Sequence, residues 1–201
     1  MRRAAPSLLL LALLTLGGCR QDAPSASAEP GAGTDTALGR TIRQATDKAR
    51  SELASHNMKI SSTGQPTAEI TPQGDLLVSG EPVPVNQEQR ALLLAYRAEL
   101  VEIASAGIDI GAEGANLGLR AAGQALRSVL SGNPEEAGKQ IEAEAETIKA
   151  AARRLCDRIP ALRARGQAVA ASLPAFAPYA TIDPADADKC MKDTVADAGT
   201  P

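Results

Sequence analysis

The stretch that decides the fold is ITPQGDLLVSGEPVPVNQEQRALLLAY, residues 70–96. Its first part consists of short apolar runs separated by Pro72, Gly74 and Gly80, residue types that favour tight turns. The sequence NQEQ at 86–89 then resembles a capping box at a helix start. The apolar residues that follow recur with helical spacing: Leu92, Leu93, Tyr96, Leu100, Ile103 and Ala104. The stretch therefore predicts an antiparallel hairpin that leads directly into the most hydrophobic helix of the chain.

Helices are predicted on both sides of this stretch. Before it, apolar residues at helical spacing indicate an amphipathic helix from about Leu38 to Asn57. After it, NPEE at 133–136 combines the cap, proline and acids preferred at helix starts, and predicts a long helix that reaches Pro160 and resumes beyond it. Short strands are marginal alone and need helices to cover them. We predict an α+β fold, predominantly α, with a small antiparallel β-hairpin or three-stranded meander packed on a bundle of about four helices, in a single domain at 37–193.

Glycines interrupt the helical pattern between residues 107 and 123, at positions 107, 111, 114, 118 and 123. We therefore expect the helix after the hairpin to end at about Ala106 or Gly107. Asp109, Glu113 and Arg120 argue against a membrane span. Two interpretations remain: a kinked helix whose small residues pack closely against a neighbour, or a reversible glycine-rich surface for self-association or lipid contact.

The N-terminus carries a targeting pattern. Arginines at 2–3 precede a short apolar run at 8–16, and LGGC at 16–19 resembles a lipobox. The run is shorter than the roughly 20 residues that a transmembrane helix needs. We predict a signal peptide at 1–18, cleavage before Cys19, and lipidation of Cys19 with acyl chains such as palmitate as the membrane anchor.

The residues that follow the predicted anchor are small and polar. Residues 19–36 lack an apolar face and predict a flexible tether, and residues 194–201 predict a disordered tail. Arg20 stands where an aspartate would favour retention at the inner membrane. We therefore predict a protein of the cell envelope that is anchored in the outer membrane and faces the periplasm.

Cys156 and Cys190 are the two cysteines that remain after lipidation. In an oxidising compartment such a pair predicts a disulfide, which would close a loop of about 35 residues and stabilise the fold by about 4 kcal/mol. The alternatives are a redox pair or a metal site. The sequence has no Cys-x-x-Cys motif, and His56, its single histidine, lies far from both cysteines in sequence.

Charge and composition narrow the class of protein. The net charge is −3, and removal of Arg2 and Arg3 with the signal lowers it to −5. A mildly acidic surface argues against nucleic acid, whose phosphates require clustered basic residues. Aromatic residues are limited to Tyr96, Phe176 and Tyr179, and this scarcity disfavours a preformed small-molecule pocket.

Recognisable catalytic groups are missing from the sequence. With His56 as the single histidine, histidine-based triads and metal sites lack parts. The acids at 135–136 fit the start of a helix. Asp183, Asp186 and Asp188 alternate as in a calcium loop but lack its glycine and terminal glutamate. The sequence therefore predicts no catalytic residue, no metal and no cofactor, with a weak cation site at Asp183–Asp188 as an alternative.

The run from Ile70 to Gly80, followed by VPVN at 83–86 and QRALLLAY at 89–96, resembles the YggN-like family of uncharacterised proteobacterial envelope proteins. The resemblance covers roughly residues 56–191. It implies a periplasmic address and no assigned activity. Three residues at the hairpin-to-helix junction are candidates for interaction or for a structural role: Gln89, Arg90 and Tyr96.

These observations predict a non-catalytic bacterial envelope lipoprotein that binds another envelope component through helical surfaces. The partner would be an unknown envelope protein or a lipid. The first alternative is a carrier of a lipid or another apolar ligand, with the glycine-rich segment as a movable wall. The second is a cell-wall enzyme that uses carboxylates, which would need two acids converging in a cleft.

Overall fold

The computed structural model describes residues 36–131 and 134–196. In this part of the chain the fold is α+β and predominantly α, as predicted. The α-helices are α1 (Ala37–Ser55), α2 (Gln87–Ser131), α3 (Pro134–Cys156), α4 (Ile159–Ser172) and α5 (Ala185–Ala196), with a 3-10 helix at Pro174–Tyr179. The strands are β1 (Met58–Ile60), β2 (Ala68–Ile70), β3 (Leu76–Val78) and β4 (Glu81–Val83).

Several sequence predictions fall on other parts of the chain. The signal peptide at 1–18, the lipidation of Cys19 and residues 19–35 of the tether lie outside the described residues. Residues 197–201 of the predicted tail also lie outside them. Residues 194–196, which we assigned to the tail, are the last residues of α5.

The four strands form an antiparallel meander in the order β1-β2-β3-β4. Gly74, at φ +82°, closes the β2–β3 turn, where its N–H donates to the Thr71 carbonyl oxygen at 3.0 Å. Ser79 and Gly80, both at positive φ, form the two-residue connection between β3 and β4. The fourth strand was not predicted, because Pro82 within it argues against a central strand. β4 lies at the edge of the sheet, where a proline is tolerated.

Helix α2 differs most from the prediction. It continues without interruption from Gln87 to Ser131, well past the predicted end at Ala106 or Gly107, and is about 67 Å long at 1.5 Å per residue. Side-chain contacts from both neighbouring helices hold the part beyond Gly107: Arg50 of α1 pairs with Asp109, and Arg120 pairs with Glu144 of α3. The packing of α2 against α1 and α3, to which these pairs belong, outweighs the low helix propensity of glycine.

The hydrophobic core lies between the sheet, the N-terminal part of α2, α4 and the 3-10 helix. Its buried members are Ala68, Ile70, Leu76, Leu93, Tyr96, Leu162, Val169, Leu173, Phe176 and Tyr179. By contrast, α2 has no fully buried side chain among residues 107–128. We call residues 107–131 the distal half of α2. Residues 107–128 therefore lie beyond the core, and this part of α2 contacts α1 and α3.

Candidate functional site

Gln89, the first of the three junction residues, caps α2. The Asn86 N–H donates to Gln89 Oε1 at 3.0 Å, and the Gln89 N–H donates to Asn86 Oδ1 at 2.8 Å, which is the predicted capping box. Gln89 Nε2 also donates to the Ser172 carbonyl oxygen at 2.7 Å. Gln89 thus joins the start of α2 to the end of α4.

Arg90 holds the β2–β3 turn against α2. Its Nη1 lies 2.5 Å from Asp75 Oδ1 and 3.1 Å from the Gln73 carbonyl oxygen. The turn approaches the helix so closely that a Cβ on Gly74 would lie 2.7 Å from Leu94 Cγ. The turn therefore requires glycine for space as well as for its positive φ.

This contact also shifts the pKa of Asp75. The hydrogen bond from Arg90 lowers the pKa of Asp75, desolvation opposes the shift, and a hydrogen bond from Thr71 adds to it. Because the pKa is lowered in the folded state, the stabilisation by Asp75 is present above its unfolded pKa. It is lost as the pH falls through its folded pKa. The pair is partly exposed, so solvent screens it and the contribution to stability is small.

Tyr96, the third candidate, is a core residue with 4% of its surface exposed. Its ring packs edge-on against Phe176, with centroids 5.3 Å apart, and burial raises the pKa of its hydroxyl. On the α4 side it contacts Gly166, where a Cβ would lie 3.2 Å from the ring. The contacts of all three junction residues are thus made to groups of the fold itself, which favours the structural role.

Arg97 is a buried charge that sequence reasoning missed. Its side chain is 9% exposed, and Nη2 donates to the carbonyl oxygens of Leu53, Ala54 and His56 at 2.8, 3.2 and 2.9 Å. These carbonyls end α1, where the helix dipole is negative and the last oxygens lack partners within the helix. Arg97 therefore fixes the end of α1 against α2.

The predicted pair Cys156 and Cys190 forms a disulfide, with Cα atoms 5.6 Å apart. Cys156 is the last residue of α3, and Cys190 lies in the middle of α5. The bond attaches α5 to the end of α3. The structure therefore contains the disulfide that the sequence predicted.

Three of the acids considered for chemistry serve as caps or in an exposed ion pair. The Asp183 N–H donates to Asp186 Oδ2 at 2.8 Å, and Asp183 Oδ1 accepts from the Ala185 N–H at 2.8 Å, so both carboxylates cap α5. Glu135 pairs with Lys139. Within residues 36–131 and 134–196, no three His, Cys, Asp or Glu side chains are grouped so that they could hold a metal ion.

The distal half of α2 carries an unusual surface. Gly107, Gly111, Gly114 and Gly118 recur at intervals of four, three and four residues and lie along one side of the helix, which we call the glycine-lined face. The same side carries Tyr96 and Leu100 in the core. A Cβ placed on any of the four glycines would meet no atom within 4 Å.

The space around these glycines contradicts one of the two sequence interpretations. Close packing of glycine against a neighbouring element would leave no room for a Cβ, but in the described part of the chain that room exists at every glycine from 107 to 123. Nor does the helix end or break at these residues. The expected close packing of these glycines against a neighbour was therefore wrong, and the glycine-lined face is an open surface of the described fold.

None of the helices in the described residues combines the length and the apolarity that crossing a bilayer requires.

Comparison with known proteins gives one match. The fold is that of an α+β protein with a small sheet on a mainly helical framework. The model of a family described as a protein of unknown function (DUF2884) matches residues 51–143. The match spans the end of α1, the sheet, all of α2 and the first part of α3, and so includes the junction residues and the glycine-lined face. It ends before the disulfide. Neither the curated proteins nor the solved structures contain a match to the chain.

Proposed function

We propose that this protein is a non-catalytic lipoprotein of the bacterial envelope that binds another envelope protein through the glycine-lined face of α2. Its anchor would be Cys19, lipidated after removal of residues 1–18, with the folded part facing the periplasm from the outer membrane. The lipobox-like sequence at 16–19 supports the address. The match to a family of unknown function is compatible with this proposal and assigns no activity.

The observation that supports the binding role is the helix stability that is lost through the four glycines. Glycine in a helix interior is less favourable than alanine by about 0.8–1 kcal/mol, so the glycine-lined face costs about 3–4 kcal/mol of helix stability. Within the described fold, no neighbouring atom occupies the space that a methyl group on these residues would fill. The approach of a second helix explains them, because small residues allow two helix backbones to come close and gain packing contacts along their length.

Alanine substitutions at Gly107, Gly111 and Gly118 test this role. We expect the triple variant to be more stable than the wild type by about 2–3 kcal/mol, since alanine favours the helix and meets no clash. We expect the same variant to lose its envelope partner, because three methyl groups would hold the partner helix away. Urea unfolding measures the first effect, and quantitative crosslinking in native envelopes measures the second.

Gly138→Ala provides a matched control for the triple variant. Gly138 lies on α3, is exposed, and also has room for a Cβ. This substitution should stabilise the protein by about 1 kcal/mol and leave the partner bound. A triple variant that is stabilised but keeps every crosslinked partner would contradict the binding role. A triple variant that is destabilised would contradict the premise that the glycines are not needed by the fold.

A separate experiment tests the proposed processing and lipidation at Cys19. An intact-mass spectrum of the protein released gently from its own membranes should show a chain that begins at Cys19 and carries acyl mass. A Cys19→Ser variant should show neither the processing nor the acyl mass. A wild-type chain without acyl mass would overturn the lipoprotein assignment, whereas the binding role of α2 would still stand on its own test.

A further inference from the structure

A groove of about 240 Å³ runs between α2 and α3 near the base of the distal half. Its apolar lining consists of Ala106, Ile110, Ala151 and Leu155. The two alanines are small, and this leaves space between the helices at this level. We call this space the α2–α3 groove.

Charges of opposite sign line the two sides of the groove. Asp109 and Glu113 lie on the α2 side, and Arg154 and Arg158 lie on the α3 side. Asp109 and Glu113 are four residues apart on α2, and like charges at this spacing destabilise a helix by about 0.2–0.5 kcal/mol. Arg154 lies on α3, and Arg158 lies in the turn between α3 and α4. Ion pairs across the groove would neutralise all four charges.

Those cross-groove ion pairs are not formed. Asp109 instead pairs with Arg50 of α1. Arg158 pairs with two acids of α2: its Nη1 lies 2.9 Å from Glu99 Oε1, and its Nη2 lies 3.7 Å from Glu102 Oε2. In the described part of the chain, Glu113 and Arg154 take part in no ion pair and no side-chain hydrogen bond, although both line the same groove. The groove thus has one unused negative and one unused positive group facing the same small space.

This arrangement selects a ligand that carries both charges. An anion alone would meet the carboxylates of the α2 side, and a cation alone would meet the guanidinium groups of the α3 side. A zwitterion can satisfy both sides at once, and its uncharged middle can contact Ile110 and Leu155. Arginine binds phosphate through paired N–H groups, and the two free oxygens of a phosphodiester can be shared between two guanidinium groups.

We propose that the α2–α3 groove binds a zwitterionic phosphoethanolamine headgroup, with the ammonium group held by Asp109 and Glu113 and the phosphodiester held by Arg154 and Arg158. The site is separate from the glycine-lined face. At 100° per residue, the groove residues of α2 lie about a third of a turn away from Gly107, Gly111 and Gly118. Binding in the groove therefore does not depend on the protein partner proposed above.

The test is a titration of the full chain, purified in a sugar-based detergent without charged groups, with glycerophosphoethanolamine. We expect saturable binding, measured by calorimetry or by protein NMR shifts. Glu113→Gln and Arg154→Gln should each weaken this binding by about 10-fold. These two side chains have no partners in the described fold, so their substitution should leave folding intact, and far-UV circular dichroism with thermal unfolding verifies this.

Matched controls remove charges of the same sign elsewhere. Glu142→Gln on α3 and Lys192→Gln on α5 change exposed side chains outside the groove and should leave the binding unchanged. Glycerophosphoglycerol, which lacks the ammonium group, should bind at least 10-fold more weakly than glycerophosphoethanolamine.

Three results would overturn the proposal. The first is no saturable binding of glycerophosphoethanolamine by the folded wild type. The second is equal weakening by the groove variants and by the controls, which would indicate a general charge effect. The third is equally tight binding of a dipeptide such as Ala-Ala, which would assign the groove to peptide termini instead of a phosphodiester. Each of them leaves the test of the glycine-lined face unaffected.

Discussion

Phe176→Ala is expected to destabilise the fold by about 3–5 kcal/mol, the range measured for truncation of buried aromatic residues. Phe176 is the only phenylalanine of the chain and is completely buried in the 3-10 helix. Its ring contacts Tyr96 of α2 edge-on and lies 6.1 Å, between centroids, from Tyr179. Because single domains are stable by only about 5–15 kcal/mol, this loss would remove a large fraction of the total.

The size of the effect follows from how few large side chains the core contains. Most of its other members are aliphatic or alanine, so the cavity left by Phe176 could not be refilled by a neighbouring aromatic ring without unpacking Tyr96 or Tyr179. Tyr179 is also held in place, since its hydroxyl donates to the Pro66 carbonyl oxygen at 2.8 Å and ties the 3-10 helix to the loop before β2. Collapse around the cavity is thereby limited, which places the cost in the upper part of the range.

Urea unfolding of Phe176→Ala, followed by circular dichroism, measures this loss. Leu126→Ala is the matched control, because it also truncates a large apolar side chain but at a position that is 68% exposed. The control should change the free energy of unfolding by no more than about 0.5 kcal/mol. Similar losses for the two variants would show that the core does not lie where we describe it.

Loss of the Cys156–Cys190 disulfide is the second large expected effect, at about 4 kcal/mol. The two cysteines are 34 residues apart, and the chain-entropy model gives this value for a closed loop of that length. The bond also carries a local role. Helix α5 has a capped start but contributes none of its residues 185–194 to the buried hydrophobic core, so its attachment to α3 depends strongly on this bond.

The double variant Cys156→Ala, Cys190→Ala separates these two contributions. Urea unfolding should show the global loss of about 4 kcal/mol, and limited proteolysis should cut the segment around residues 181–190 before the rest of the fold opens. The wild type in reducing buffer should behave in the same way, which controls for the loss of the sulfur atoms. Unchanged stability and an unchanged cleavage pattern in both samples would contradict the structural role of the bond.

Local signals allowed much of this fold to be predicted from sequence. The start of α2 follows from the reciprocal Asn86 and Gln89 capping pair, and the β2–β3 turn follows from Pro72 and Gly74. Each of these features depends on residues close together in the chain. The disulfide was predictable for another reason: composition left one pair of cysteines to be joined.

Features set by tertiary contacts escaped prediction. Strand β4 contains Pro82 and is recognisable only once its place at the sheet edge is known. The continuation of α2 through its glycines depends on α1 and α3, whose contacts at Asp109 and Arg120 join residues far apart in sequence. Arg97 reads as an ordinary surface residue of an amphipathic helix until the end of α1 is placed against it.

The candidate sites also differ in how much of them a local sequence signal could reveal. The junction residues stood out in sequence, but the structure engages all three within the fold. The glycine-rich segment also stood out, but the space around its glycines at 107–123 shows an open surface instead of close packing against a neighbour. The α2–α3 groove had no sequence signal, because its acidic and basic sides come from helices about 45 residues apart in the chain and only packing brings them together.

Site-specific photocrosslinking in native envelopes tests the central claim most directly. A photoreactive residue at Ala122, an exposed position one turn beyond Gly118, should form one discrete adduct with an envelope protein. That adduct should disappear when Gly107, Gly111 and Gly118 are replaced by alanine and should persist with Gly138→Ala. The same probe at the exposed Glu142 of α3 should not form it. An identical adduct pattern at Ala122 and Glu142, unaffected by the triple substitution, would contradict the claim that the glycine-lined face is the binding surface.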